Sequence, residues 1–388
     1  MYFFIPVYII LITLGLSTIG MGGLGTYILI PSTFFYLIFD RYYNKNNISK
    51  SQPVKFYIGF VIIGLLLAFK ATNIEQAFDS QLKAVSVLLF ALSIYSFIIQ
   101  SVKNLNIVLL TNVFILLILV FYFLFSNITL GNDRVAGSAL NSNSYGYIVF
   151  VGLSSVFLLY TLTNKNKWIL YTIFFLVPTT IYIALTTSSR GGLITTLILI
   201  IGNIYLISIK RNKKKQNKHI RFYSLISIII MGLVLNYFYD NIYLNSNINK
   251  RFDLLYLNES TREYHVQKAI EIGLENPILG IGAGNYSITP KLIEMGSFTH
   301  NAFAEAFVSY GIFGLLLYLL ICFSILKKIF FYYKDKNIKK RVISHQILMS
   351  FIVFIIYNLL YVVYLSPIFM MMMMMMIALL HKLKTNKI

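Results

Sequence analysis

Residues 105–125 read LNIVLLTNVFILLILVFYFLF, a run without one charged side chain. A helix of that length crosses roughly 30 Å of hydrocarbon, the thickness of a bilayer core. Apolar runs of comparable length recur on both sides of it. They place spans near 2–19, 24–40, 54–71, 83–101, 105–125 and 145–162, then near 168–186, 190–209, 222–238, 301–326, 342–364 and 367–382. The expected architecture is all-α, a polytopic membrane bundle of about twelve helices forming a single integral membrane domain over 1–388.

Composition agrees with that reading. Of the 388 residues, 58% are apolar and 12% charged, against roughly a quarter charged in an ordinary soluble domain. A water-soluble globule is excluded, and no stretch between the apolar runs is long enough for a separate soluble domain. The chain is apolar from Tyr2 onward and lacks the basic leader and small-residue cleavage pattern of a signal peptide, so the first run is read as a span.

The net charge of +20 does not point to nucleic acid, because the basic residues form short blocks between apolar runs instead of one continuous face. Topology accounts for them. Lys and Arg are retained in cytoplasmic loops, and 24 of the 33 fall on one side of the twelve-span scheme, including Lys210 to Arg221, Lys327 to Arg341 and the tail lysines. Both termini are therefore assigned to the cytoplasm. All acidic residues but Asp40 and Asp335 fall on the opposite side.

Two outward loops stand out, one near 126–144 and a large one over 239–300. Inside the latter, Ser260 and Glu263 form a capping box. Val266, Ala269, Ile270 and Gly273 repeat at helical spacing, and Asn276-Pro277 ends the run. This predicts an amphipathic helix near 260–275 lying along the outer membrane surface. No internal repeat marks two pseudo-symmetric halves of a transporter. The run Met370 to Met376 reads as lipid-compatible filler of the last span, and the single cysteine, Cys322, as an inert buried thiol.

Few residues in this apolar chain can carry chemistry. Arg190, in Thr186-Thr-Ser-Ser-Arg-Gly-Gly192, sits in an outward turn where basic residues are sparse. It either snorkels to headgroups or joins exposed backbone N–H groups in cradling a pyrophosphate. Arg262 falls in the first turn of the expected loop helix, where a cation opposes the helix dipole unless an anion binds there; the alternative is a solvated surface arginine. His300 precedes the tenth span, with Asn301 and Glu305 one turn apart after it. It is either a structural hydrogen-bonder or a base matched to neutral pH. Gly280-x-Gly282-x-Gly284 lacks the strand–turn–helix context of a nucleotide loop and reads as a flexible connection. No His, Cys or carboxylate cluster has metal-ligand spacing.

Four features in order resemble the bacterial O-antigen polymerase and O-antigen ligase superfamily, which includes capsule and exopolysaccharide repeat-unit polymerases. They are Arg134-x-x-Gly137 followed by Asn141 and Asn143; Ser189-Arg-Gly-Gly192; Asn276-Pro-x-x-Gly280-x-Gly282-x-Gly284-Asn285; and His300-Asn301-x-x-x-Glu305 with Gly311-x-x-Gly314. The resemblance implies a helical bundle similar to the C-type glycosyltransferases. It implies transfer of a glycan from undecaprenyl pyrophosphate to an acceptor hydroxyl outside the cytoplasmic membrane of a bacterium, with no metal or other cofactor. It maps phosphate-binding arginines onto Arg190 and Arg262 and the essential histidine onto His300, with Arg134, Asn143, Asn301 and Glu305 in support. Where many members carry a Trp after the loop arginine, this chain reads Glu263-Tyr264-His265. The partners implied are undecaprenyl-pyrophosphate-linked oligosaccharides and membrane lipid, with a chain-length regulator and a flippase as protein partners and no nucleic acid. A repeat-unit polymerase leads, an O-antigen ligase is the alternative within the family, and a lipid-linked oligosaccharide flippase is the alternative of another class.

Overall fold

A computed structural model describes residues 4–12, 32–41, 51–125, 142–163, 166–186, 190–211, 255–288 and 299–385. They form α1 (Phe4–Ile10), α2 (32–41), α3 (Gln52–Ala68), α4 (Ile74–Gln100), α5 (Val102–Phe125) and α6 (Ser142–Leu162). There follow α7 (Lys167–Thr186), α8 (Arg190–Arg211), α9 (Leu255–Glu275), α10 (Ala302–Tyr333), α11 (Ile338–Leu360) and α12 (Pro367–Lys384). Short 3-10 turns lie at Asn285–Ile288 and Val363–Leu365. No strand occurs among the described residues, and seven of the helices are long and apolar enough to cross a membrane. The protein is an all-α integral membrane protein, as the run lengths predict. The expected ninth span, 222–238, and Arg134 lie outside the described residues.

The chain divides into two compact units. The first comprises Met1–Val108, Glu259–Tyr332 and Phe354–Ile388; the second, Leu109–Asn258 and Tyr333–Val353.

In the first unit α12 packs along α4, and every methionine from Met370 to Met376 is buried. A helix apolar around its whole circumference belongs in an interior, and the unbranched thioether fills irregular space there. The run therefore packs against protein, which corrects its reading as lipid filler. Phe60 of α3 meets the rings of Tyr310, Tyr318 and Tyr364 at centroid distances of 5.1, 5.6 and 5.3 Å. Ser101 alone joins α4 to α5. Its extended backbone ends the first helix, and its Oγ accepts the Asn104 N–H at 3.0 Å.

The second unit is held by small polar residues on its helix faces. Asn112 Nδ2 donates to Ser155 Oγ at 3.2 Å, Ser350 Oγ to Ser154 Oγ at 3.1 Å, and Gln346 Nε2 to the Phe157 carbonyl at 2.9 Å. Small side chains allow close approach of the backbones, and each such bond adds on the order of 0.6 kcal/mol in a membrane.

One irregularity of the first unit positions the site. α10 is two helices end to end, broken at Gly311, whose φ of 63° and ψ of −159° are not helical. The break frees the Val308 and Ser309 carbonyls and the Ile312 N–H, and such groups are costly unless another segment pairs them. The stretch after α9 does so. Ile281 N–H donates to Val308 at 2.9 Å, Gly282 N–H to Ser309 at 3.0 Å, and Ile312 N–H to the Pro277 carbonyl at 2.8 Å. The same stretch is pinned to the turn between α3 and α4. Thr72 N–H donates to the Ile281 carbonyl and Asn73 N–H to Asn285 Oδ1, each at 3.1 Å, while Asn285 Nδ2 donates to the Asn73 carbonyl at 3.2 Å. Gly280, Gly282 and Gly284 all have positive φ. A Cβ on Gly280 would lie 2.5 Å from the Ser309 backbone. The expected flexible connection is an ordered clasp.

Candidate active site

Helix α9 supplies one wall of the site. Ala269 and Ile272 pack with Tyr286, Ala304 and Val308 in one apolar cluster, and Val266 lies partly buried against it. Gly273 lets Phe307 come close: a Cβ there would sit 2.6 Å from the ring. The expected stripe is thus rotated slightly, with Ile272 inside and Ile270 exposed. The helix begins at Leu255, five residues before the expected cap at Ser260. Arg262 therefore stands in the helix interior, away from free N–H groups, which corrects the reading of a dipole-based anion site. Its guanidinium carbon lies 5.8 Å from the centroid of the Tyr361 ring, a cation–π contact. Its side chain is exposed, and among the described residues it forms no ion pair.

His300 is half-buried at the start of α10 and has φ 53°, the one positive value on a residue other than glycine among the described residues. Left-handed backbone is uncommon for a side chain of this size and tends to collect at functional positions. Burial first, then the Arg262 guanidinium and His265, holds its pKa below the ordinary 6.5. The ring is therefore neutral at neutral pH and able to accept a proton.

The neighbours of His300 divide into cap and carboxylate. Asn301 caps α10: its Oδ1 accepts the Phe303 and Ala304 N–H groups at 2.9 and 3.1 Å. Glu305 is buried one turn on, where Ser309 Oγ donates to its Oε1 at 3.1 Å. Arg262, His300, Asn301 and Glu305 are thus brought together in the first unit. Arg190 opens α8 and Asn143 lies in the first turn of α6, both in the second unit.

Two residues not singled out from the sequence join the site. His265 is buried on α9 with its ring centroid 6.2 Å from that of His300. Tyr286 lies against it: the phenol donates to the His265 carbonyl at 2.8 Å and stands 3.2 Å from His265 Nδ1. Burial raises the Tyr286 pKa, keeping the phenol protonated, and burial lowers that of His265. A signal for His265 was present, since it precedes Ala269 and Ile272 by four and seven residues and so falls on the same helical face.

Residues 176–319 match the family model described as O-antigen ligase. That stretch is similar to the O-antigen ligase family. The match takes in Arg190, Arg262, His300 and Glu305 together with the clasp, and leaves out Arg134 and Asn143. It supports the resemblance to the O-antigen polymerase and ligase superfamily and with it an enzymatic role. A search of the curated proteins gives no match.

Proposed function

We propose that this protein is a repeat-unit polymerase. It would transfer a glycan from undecaprenyl pyrophosphate to a hydroxyl of a second lipid-linked unit on the outer face of a bacterial cytoplasmic membrane. The observation that carries the reading is a half-buried histidine in left-handed backbone, its pKa held down by burial and the Arg262 guanidinium, where that arginine forms no ion pair among the described residues. Pyrophosphate already leaves readily, so the protein has two tasks: to offset the developing negative charge and to orient and deprotonate the acceptor. Arg262 takes the first task, with no metal needed, and His300 the second. The hydroxyl oxygen attacks the anomeric carbon in line, the bond to pyrophosphate breaks with its electron pair, and the hydroxyl proton passes to His300. Direct displacement inverts the anomeric configuration, and a retained linkage in the product would exclude it. Both termini lie in the cytoplasm in this scheme, and α9 rests on the outer surface with Ile270 and Leu274 exposed toward the headgroup region.

The family description, O-antigen ligase, favours a second reading, a ligase, for which lipid A core is the expected acceptor. The test is reconstitution in vesicles with lipid-linked repeat units extracted from the encoding bacterium, with and without lipid A core. Wild type should build a ladder of polymer without the core, and His300→Ala should lose about a hundred- to ten-thousand-fold in rate. Transfer only to the core would replace polymerase by ligase. If His300→Ala and Arg262→Ala both turn over like wild type, the site assignment fails.

A further inference from the structure

We infer that His265 is a positioning residue for His300, fixed in one tautomer by Tyr286, so that the two imidazoles hold one proton between them and His265 is its next acceptor. The inference rests on the reading of His300 as the proton acceptor in glycosyl transfer.

The geometry argues it in three steps. The Tyr286 hydroxyl has one hydrogen, and that hydrogen is directed to the His265 backbone carbonyl at 2.8 Å. Toward His265 Nδ1, 3.2 Å away, the phenol can then only accept, which puts the imidazole hydrogen on Nδ1. Nε2 is left as the basic atom of the ring. Second, the pair is close: the ring centroids stand 6.2 Å apart with an interplanar angle of 58°. The rings form no direct hydrogen bond, and the inference places one water between them. Third, two charged imidazoles at that distance beside the Arg262 guanidinium repel, so the second proton is strongly disfavoured. The other groups facing the pair are Tyr264 of α9, Tyr286 itself, Glu305 of α10, and Tyr361 against Arg262. The Glu305 carboxyl group lies near Tyr286 and, among the described residues, forms no ion pair with His300.

The proton balance is simple. The acceptor hydroxyl loses its proton to His300 as the new glycosidic bond forms and pyrophosphate departs with the bonding electrons. The imidazolium passes that proton through a bridging water to His265 Nε2, and His300 returns to its neutral form for the next turnover. A buried His265 that merely filled space would make no demand on its tautomer and no difference to the titration of His300.

The experiment is ring-labelled histidine NMR on the full chain in phosphatidylglycerol and phosphatidylethanolamine nanodiscs, titrated with pH. The His300 and His265 signals are assigned by their loss in His300→Gln and His265→Gln. In wild type, His265 should show a protonated Nδ1 and a bare Nε2. In His265→Gln the His300 midpoint should rise by roughly half a pH unit or more. In Tyr286→Phe, which keeps the ring and its packing, the His265 nitrogens should change to a tautomer mixture. An unmoved His300 midpoint in His265→Gln overturns the inference. If that variant does not fold, an unchanged tautomer in Tyr286→Phe overturns it instead. Turnover on lipid-linked units separates the two claims: full activity of His300→Ala sinks the proposed chemistry, while the ring coupling stands or falls by the titration alone.

Discussion

Helix α12 and the first half of α10 lie in the same unit and are both largely buried, yet they are built on opposite terms. From Pro367 to Lys384 the helix is continuous, seven methionines fill its middle, and its backbone bonds close within itself. From Ala302 to Tyr310 the helix is short. A side chain caps its start, it carries a buried carboxylate, and it ends at a glycine whose freed neighbours bond to another part of the chain. The difference teaches where a span can be interrupted. A break inside apolar surroundings survives where a second segment supplies the missing donors and acceptors, and that segment brings α9 and its histidine with it.

Gly311→Val attacks the interrupted helix at its weakest point. The substituted residue would combine left-handed backbone strain, overlap with Ile278, and loss of the three clasp bonds, together about 4 kcal/mol or more. Thermal unfolding in detergent should show a large drop; a melting point within two or three degrees of wild type, on the order of 1 kcal/mol, would mean that the clasp does not hold α10. Met373→Ala probes the continuous helix. Truncating a fully enclosed methionine should cost about 2–5 kcal/mol, while Met373→Leu keeps the volume and should cost less than about 1.5 kcal/mol. A neutral Met373→Ala would place that side chain in lipid. Asn301→Ala removes the cap and should cost about 1 kcal/mol, with Asn301→Asp largely restoring it. The smallest expected effect concerns pH. His300 titrates below 6.5 because of burial and the nearby Arg262 charge, so its neutral form persists into mild acid. The acidic limb of turnover should therefore lie below 6.5 in wild type and move upward in Arg262→Gln. A limb at or above 6.5 in wild type would contradict a lowered His300.

Run length alone located α3 to α8 and α10 to α12, because a bilayer asks one thing of a spanning helix and the composition answers it. It missed the start of α4 by nine residues, since Ile74 to Leu82 is a polar extension that hydropathy does not register. The site was legible in part. His300, Glu305 and Arg262 could be named from charge placement in an apolar chain, and the glycines from their spacing. Their work could not. Gly280, Gly282 and Gly284 look like slack in sequence, whereas their positive φ values serve backbone pairing to residues about 27 positions away. Arg262 was misread through its helix start, because Leu255 to Glu259 extend α9 upstream of an apparent cap. The cation–π partner Tyr361 lies 99 positions downstream, beyond any local pattern.

The methionine run also sets how the protein ages. Oxidants convert a thioether to its sulfoxide only where they can reach the sulfur, and α12 keeps seven adjacent sulfurs enclosed. Sulfoxide accumulating at Met370 to Met376 would therefore mark molecules that have come apart, and the helix doubles as a chemical record of opening.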